Sequence, residues 1–381
     1  MRKAPVSAKT KVNPLTAAKR VVVKIGSAML VDSKRNEIKQ PWLEALVEDV
    51  AACRARGQDV VLVSSGAIAL GRRVLNLAKK KLHLEEKQAA AACGQIRLAH
   101  AYQEALAKSG INVAQVLLTF SDTEDRQSYL NVRATLRRLL GMGAVPVINE
   151  NDTVATAEIR YGDNDRLAAR VAAMMEADCL VLLSDIDGLY TADPSLNPKA
   201  EFIPEVTAIT PEVEAMGGDP VSGVGSGGMR TKIEAARVAM NAGCAMAITK
   251  GDVLHPLQGL QKSARCTWFI PDCSPAAARK VWIAGSLKPP GSLTIDAGAV
   301  KALRQGKSLL AAGVTEVKGA FERGDPVRVL TPKGNEIARG LIAYSSAEAQ
   351  KIKGRQSGEF EKLIGYGERE EIIHRDDLAL V

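Results

Sequence analysis

Residues 20–27 read RVVVKIGS. Val21, Val22, Val23 and Ile25 form a short β-branched run, and Gly26 stops it. A run this short, closed by a glycine, predicts a buried strand over residues 20–25 that enters a tight loop. Lys24 is the odd residue in it. An ammonium near the end of a buried strand costs desolvation unless it meets an anion or snorkels to solvent.

Outward from this stretch the pattern repeats. Residues 42–56 read as helix, with Gly57 as the stop. Residues 59–63 (DVVLV) predict a second buried strand, ending at Ser64, Ser65 and Gly66. Helical sequence then dominates to Ser109 and includes the alanine-rich residues 88–93. Strands predicted at 111–118, 144–148 (AVPVI) and 179–183 (CLVLL) alternate with helices at 129–140 and 166–176. Continuous apolar strands alternating with helices specify an α/β three-layer sandwich with a mainly parallel central sheet. Ligands of such sheets bind beyond the carboxyl ends of the strands. The segments there are Lys24-Ile25-Gly26-Ser27, Ser64-Ser65-Gly66, Asn149-Glu150-Asn151-Asp152 and Ser184-Asp185, which are mostly small, polar or charged.

Composition narrows the class. The 381 residues are 46% hydrophobic, 25% charged and 4% aromatic, which excludes a disordered or collagen-like chain and suits two or three globular domains. No apolar run approaches the ~18 residues of a membrane helix. The net charge of +8 comes mostly from a basic N-terminal arm: seven basic residues and no acid up to Lys24. The remainder holds 44 basic and 43 acidic residues, so the folded body offers little for nucleic acid. The arm has no apolar core and does not read as a secretory signal. Six scattered cysteines without a CxxC pair read as reduced thiols, and four dispersed histidines form no local zinc motif. A cytoplasmic protein is the expectation.

Residues 221–232 (VSGVGSGGMRTK) hold four glycines ahead of a helical run at 231–241. Glycines let backbone N–H groups approach phosphate oxygens, and a helix start adds a favourable dipole. Lys232 could bring a mobile charge to the same phosphates. Other readings stand beside this one. Gly223, Gly225 and Gly228 satisfy GxGxxG, but that fingerprint directly follows a strand and here it follows Met216-Gly217-Gly218-Asp219-Pro220. A Walker A loop needs a Gly-Lys pair that is missing, and a loop without ligand is the plain alternative. Asp163-Asn164-Asp165 opens a helix, where acids are favoured as caps in any case. With Asp152 nearby, the same carboxylates could hold a cation or an amino group. Near Asp272 the texture changes. Residues 274–291 carry Pro275, Pro289, Pro290 and Gly291 and read as a linker to a small β-rich domain.

Taken together, residues 22–27 (VVKIGS), 64–67 (SSGA), 147–152 (VINEND), 162–165 (GDND), 188–194 (GLYTADP) and 221–232 resemble the amino-acid kinase family. The similarity runs in order from Arg20 to the C-terminus. The VINEND and GDND pair, with the tail domain, is similar to the glutamate-phosphorylating members. The resemblance divides the chain into a basic tail (1–19), a kinase domain (20–273), a linker (274–291), a PUA domain (292–367) and a C-terminal tail (368–381). It implies ATP-dependent phosphorylation of the side-chain carboxylate of L-glutamate to L-glutamyl 5-phosphate, the first step of proline biosynthesis, with Mg²⁺ accompanying ATP. It implies that Lys24 and Lys232 contact the phosphates in transfer and that Asp165 orients them. Ser65, Asp152, Asn164 and Asp163 match glutamate-binding positions. Lys24, Ser184, Asp185, Ser226, Gly227, Gly228, Met229, Arg230, Thr231 and Lys232 match nucleotide-binding positions. Ser64 and Ser184 stand where threonine is common, and both keep the hydroxyl. The resemblance further implies a homo-oligomer and hand-over of the labile product to glutamate-5-semialdehyde dehydrogenase. PUA domains elsewhere bind RNA. Here that stretch is nearly charge-balanced and poor in aromatics, so RNA is not an expected partner.

Overall fold

The β-branched run at Arg20 forms the middle of a sheet. The computed structural model describes residues 12–32, 34–77, 82–154, 164–218, 228–285, 289–367 and 370–381. It divides into two compact units, 1–275 and 276–381. In the first unit the sheet comprises, among the described residues, β1 (Arg20–Ile25), β2 (Asp59–Ser64), β3 (Val113–Leu118), β4 (Val145–Glu150), β5 (Cys179–Ser184), β6 (Glu205–Val206), β7 (Ala245–Lys250) and β8 (Cys266–Phe269). Their order is β6-β8-β7-β5-β1-β2-β4-β3. Every pairing is parallel except that of β7 with β8.

Strand alternation assigns the two faces. Val21, Val23 and Ile25 enter one core layer, with α1 (Gln40–Ala55) and α3 (Leu84–Ala107). Val22 enters the other, with α4 (Arg126–Gly141), α5 (Asn164–Met175) and α6 (Met229–Asn241). Two helical layers around one sheet make the expected three-layer sandwich. Lys24 shares the face of Val22 by the two-residue period, which directs it toward α5 and α6.

The turn after β2 takes a left-handed conformation at Gly66 (φ 117°), which a side chain would strain. The helix α2 (Ala67–Val74) starts there and lies against α3 with almost no gap. A Cβ on Gly71 would fall 1.7 Å from the Ala90 carbonyl oxygen, and one on Gly94 1.8 Å from that of Ala67.

Several boundaries differ from the sequence reading. Within the stretch expected as basic tail, residues 13–19 pack on the first unit: Leu15 is fully buried in the helix Pro14–Ala17, and Asn13 Nδ2 donates to the Leu260 carbonyl. The strand β7 (AMAITK) went unread because alanine and methionine carry little β signal. The stretch 274–291 contains a ten-residue helix, Pro275–Ala284, since its prolines sit at the helix start and beyond its end. Residues 371–380 supply two short strands, Glu371–Ile373 and Leu378–Leu380, rather than a free tail. Their three-residue length left no periodicity to see.

In the second unit five strands are ordered Val314–Gly319, Gly291–Ile295, Pro326–Leu330, Glu336–Leu341, Leu378–Leu380. They surround a core with Leu293, Val327, Val329, Tyr344 and Phe360. Among the described residues no helix is long and apolar enough to cross a membrane.

The glycine contact is testable. Gly94→Ala pushes a methyl into backbone rather than into a flexible side chain, so it should destabilise the first unit by about 1–3 kcal/mol. A urea midpoint equal to that of the wild type would show that α2 and α3 do not meet this closely.

Candidate active site

The carboxyl ends of β1, β2, β4 and β5 meet the first turns of α5 and α6. The sequence places two adjacent polar residues, Asn164 and Asp165, at the start of α5, and both are buried. They reach into different clusters.

Asp165 is fully buried between two lysines. Lys24 Nζ from β1 lies 2.6 Å from Asp165 Oδ1, and Lys232 Nζ from the first turns of α6 lies 3.0 Å from Oδ2. Both lysines are themselves buried. Taking two ammonium groups and a carboxylate out of water together is expensive, and an anion beside the lysines would help to offset that cost.

Asn164 turns toward β2 and β4. Its Nδ2 lies 2.7 Å from Ser65 Oγ, 2.9 Å from Asn149 Oδ1 and 3.1 Å from the Ser64 carbonyl oxygen, all acceptors. Asn149 Nδ2 in turn donates to Gln95 Oε1 on α3 at 2.9 Å. Ser64 Oγ pairs with Tyr102 Oη at 2.9 Å, and burial pushes the Tyr102 phenol well up, so it stays neutral. Asp152 is half-buried in the turn directly after β4, at the same end of the sheet.

The remaining candidates spread along that edge. Ser184 ends β5 and its hydroxyl donates to Asp185 Oδ1 at 3.0 Å, while Asp185 is exposed. Gly228 caps α6 without a side chain, and Met229, Arg230 and Thr231 form its first turn. The Thr231 hydroxyl donates to the Gly228 carbonyl, and Arg230 pairs with Glu234. Asp163, Ser226 and Gly227 lie outside the described residues. The geometry adds Asn149 and Gln95, which the sequence reading did not select. Asn149 stood at a strand end and could have been found there. Gln95 sits inside an alanine-rich helix and gave no local signal.

The six cysteines are free. Burial pushes the thiols of Cys179 and Cys244 up, and that of Cys266 up to about 11, which leaves them neutral and unreactive. Among the described residues no group of three or more His, Cys, Asp or Glu side chains is arranged to hold a metal ion.

The mainly parallel sheet and its polar strand ends match a family of kinases. Residues 19–250 match the amino acid kinase family and residues 291–364 match the PUA domain, and the chain belongs to the amino acid kinase family. The relatives it resembles along nearly all of its length are glutamate 5-kinases. That of Paramagnetospirillum magneticum is 62% identical over 97% of this chain and 99% of its own. Those of Paracoccus denitrificans and Dinoroseobacter shibae are 60% and 59% identical, each over 96% of this chain and over 98% and 99% of their own.

The triad predicts its own coupling. Asp165→Asn leaves two buried ammonium groups without their shared partner and should cost about 3–5 kcal/mol of stability. Adding Lys232→Met to that variant should recover part of the loss. A double-mutant cycle with strictly additive effects on the unfolding midpoint would contradict a shared charge network.

Proposed function

We propose that this protein is a glutamate 5-kinase, which transfers the γ-phosphoryl group of ATP to the side-chain carboxylate of L-glutamate. The observation that carries the reading is the buried lysine pair around Asp165 at the carboxyl edge of the sheet. Its relatives support the choice of glutamate and ATP.

The chemistry suits such a site. The acceptor carboxylate is already ionised near neutral pH, so no base has to activate it. In the transfer the bond from the γ-phosphorus to its bridging oxygen breaks, a bond to a carboxylate oxygen forms, and ADP leaves with the bridging oxygen. No proton moves. The obstacle is repulsion between two anions, and the remedy is positioning with charge neutralisation. Lys24 and Lys232 cancel charge on the phosphoryl oxygens. Asp165 touches both ammonium groups and sets where they stand. The first turn of α6, headed by Gly228, directs backbone N–H groups at the phosphates. Ser184 and Asp185 hold the nucleotide further along the edge. On the acceptor side Asp152 and the Asn164 side-chain amide oxygen receive the substrate ammonium, and Ser65 donates to a carboxylate. Asp163, Ser226 and Gly227 complete the two sets in the same proposal.

In this reading Mg²⁺ accompanies ATP as a counter-ion on its phosphates. The product is an acyl phosphate prone to hydrolysis, so prompt transfer to a reductase belongs to the same reading, as does self-association.

Glutamate, ATP and hydroxylamine should give the hydroxamate. Formation from aspartate or from no amino acid, with none from glutamate, would remove glutamate as the substrate. Lys232→Ala should lower kcat at least about 100-fold, because losing one preorganised charge stabiliser costs roughly 2.7–4 kcal/mol. A near-normal kcat would refute its part in transfer. Asp152→Ala should instead act on glutamate binding, raising KM for glutamate by about tenfold or more. An unchanged KM would take Asp152 out of the binding set.

A further inference from the structure

We infer that Gln95 is a positioning residue for the acceptor substrate, fixing through Asn149 the hydrogen-bond polarity that Asn164 and Ser65 present to it. The inference rests on the acceptor set proposed above.

The argument is one of directionality. A primary amide has an oxygen that only accepts and a nitrogen that only donates. Gln95 Oε1 accepts from Asn149 Nδ2 at 2.9 Å, which fixes the Asn149 oxygen on the other branch of its planar amide. That oxygen accepts from Asn164 Nδ2 at 2.9 Å. The same Nδ2 donates to Ser65 Oγ at 2.7 Å, so the Ser65 proton is left to donate elsewhere. The chain thus ends in two groups of defined sign. The Ser65 hydroxyl offers a donor, suited to a carboxylate. The Asn164 amide oxygen diverges from its bonded nitrogen and offers an acceptor, suited to an ammonium. An amino acid carries both complements.

Gln95 is where this order is anchored. Asn149 is 3% exposed and Gln95 8%, so water cannot readily replace a lost partner. Without the Gln95 oxygen, the Asn149 amino group is buried with no acceptor, and the amide gains by turning over. Its nitrogen then faces the Asn164 nitrogen, donor against donor. Asn164 must turn as well and would aim an amino group at the substrate ammonium. The backbone explains how a residue on α3 reaches so far in. Gly94 lets α3 close onto the Ala67 carbonyl, immediately after the Ser64-Ser65-Gly66 turn, and Gln95 is the next residue.

The test compares Gln95→Met, which keeps the volume and removes the acceptor, with Gln95→Glu, which keeps an acceptor oxygen in place. Steady-state constants are measured for both substrates, and glutarate, which lacks the amino group, serves as a competitive inhibitor. Gln95→Met should raise KM for glutamate about tenfold or more while KM for ATP and kcat stay within about threefold, and its preference for glutamate over glutarate should shrink. Gln95→Glu should return KM for glutamate to within about threefold of the wild type. An unchanged KM for glutamate in Gln95→Met overturns the inference. So does a parallel rise in both KM values with a lowered unfolding temperature, which marks a merely structural residue. A Gln95→Glu variant as impaired as Gln95→Met overturns it too. Failure of the wild type itself to phosphorylate glutamate is a separate result: it removes the acceptor reading, and this inference with it.

Discussion

The constraint on which the rest depends is a carboxylate held dry between two lysines. Asp165 has no exposed surface, and neither ammonium facing it has much. Ion pairs taken out of water seldom add stability, and hydrophobic replacements often do better. A chain that keeps this triad accepts a structural cost. The fold brings the parts together from far apart in sequence: β1 supplies Lys24, α5 supplies Asp165, and α6 supplies Lys232. Two of these three begin or sit near the start of a helix, where backbone N–H groups add further positive potential.

The sheet explains why the parts meet. Lys24 is level with Val63 of β2 and Leu182 of β5, so it lies close to the ends of all three strands. Alternation turns it toward the layer that contains α5 and α6. A lysine one residue earlier or later would emerge among α1 and α3 instead. The acceptor side follows the same logic. Ser64 ends β2 and Ser65 follows it, Asn149 lies in β4, and α5 starts opposite them. In the proposed function, nucleotide and acceptor regions are therefore two halves of one strand-end edge.

Much of this was legible in the sequence, for physical reasons. β-branched runs such as VVV at Val21 and DVVLV at Asp59 have few alternatives to a buried strand, and β1 begins and ends where they predict. The polar strand ends were visible because nothing else excuses charge beside such runs. The strand at Ala245 was not visible, since its burial comes from neighbours and not from its own propensity. The strands near the C-terminus were too short to show a period. Asn149 was quoted within its motif, yet its bonds to Gln95 and Asn164 depend on chain that is distant in sequence. Gln95 was illegible for a stronger reason: its role exists only because α3 packs backbone to backbone against α2. The triad geometry was read in part, through two lysines and one acid whose meeting point only the fold supplies.

Asn164 and Asp165 are consecutive residues in one helical turn, yet one bonds to Ser65 and Asn149 and the other to Lys24 and Lys232. In the proposed function these are the acceptor and donor sides, so a single peptide bond separates the groups that would face the two substrates. Any displacement of that turn would reach both at once.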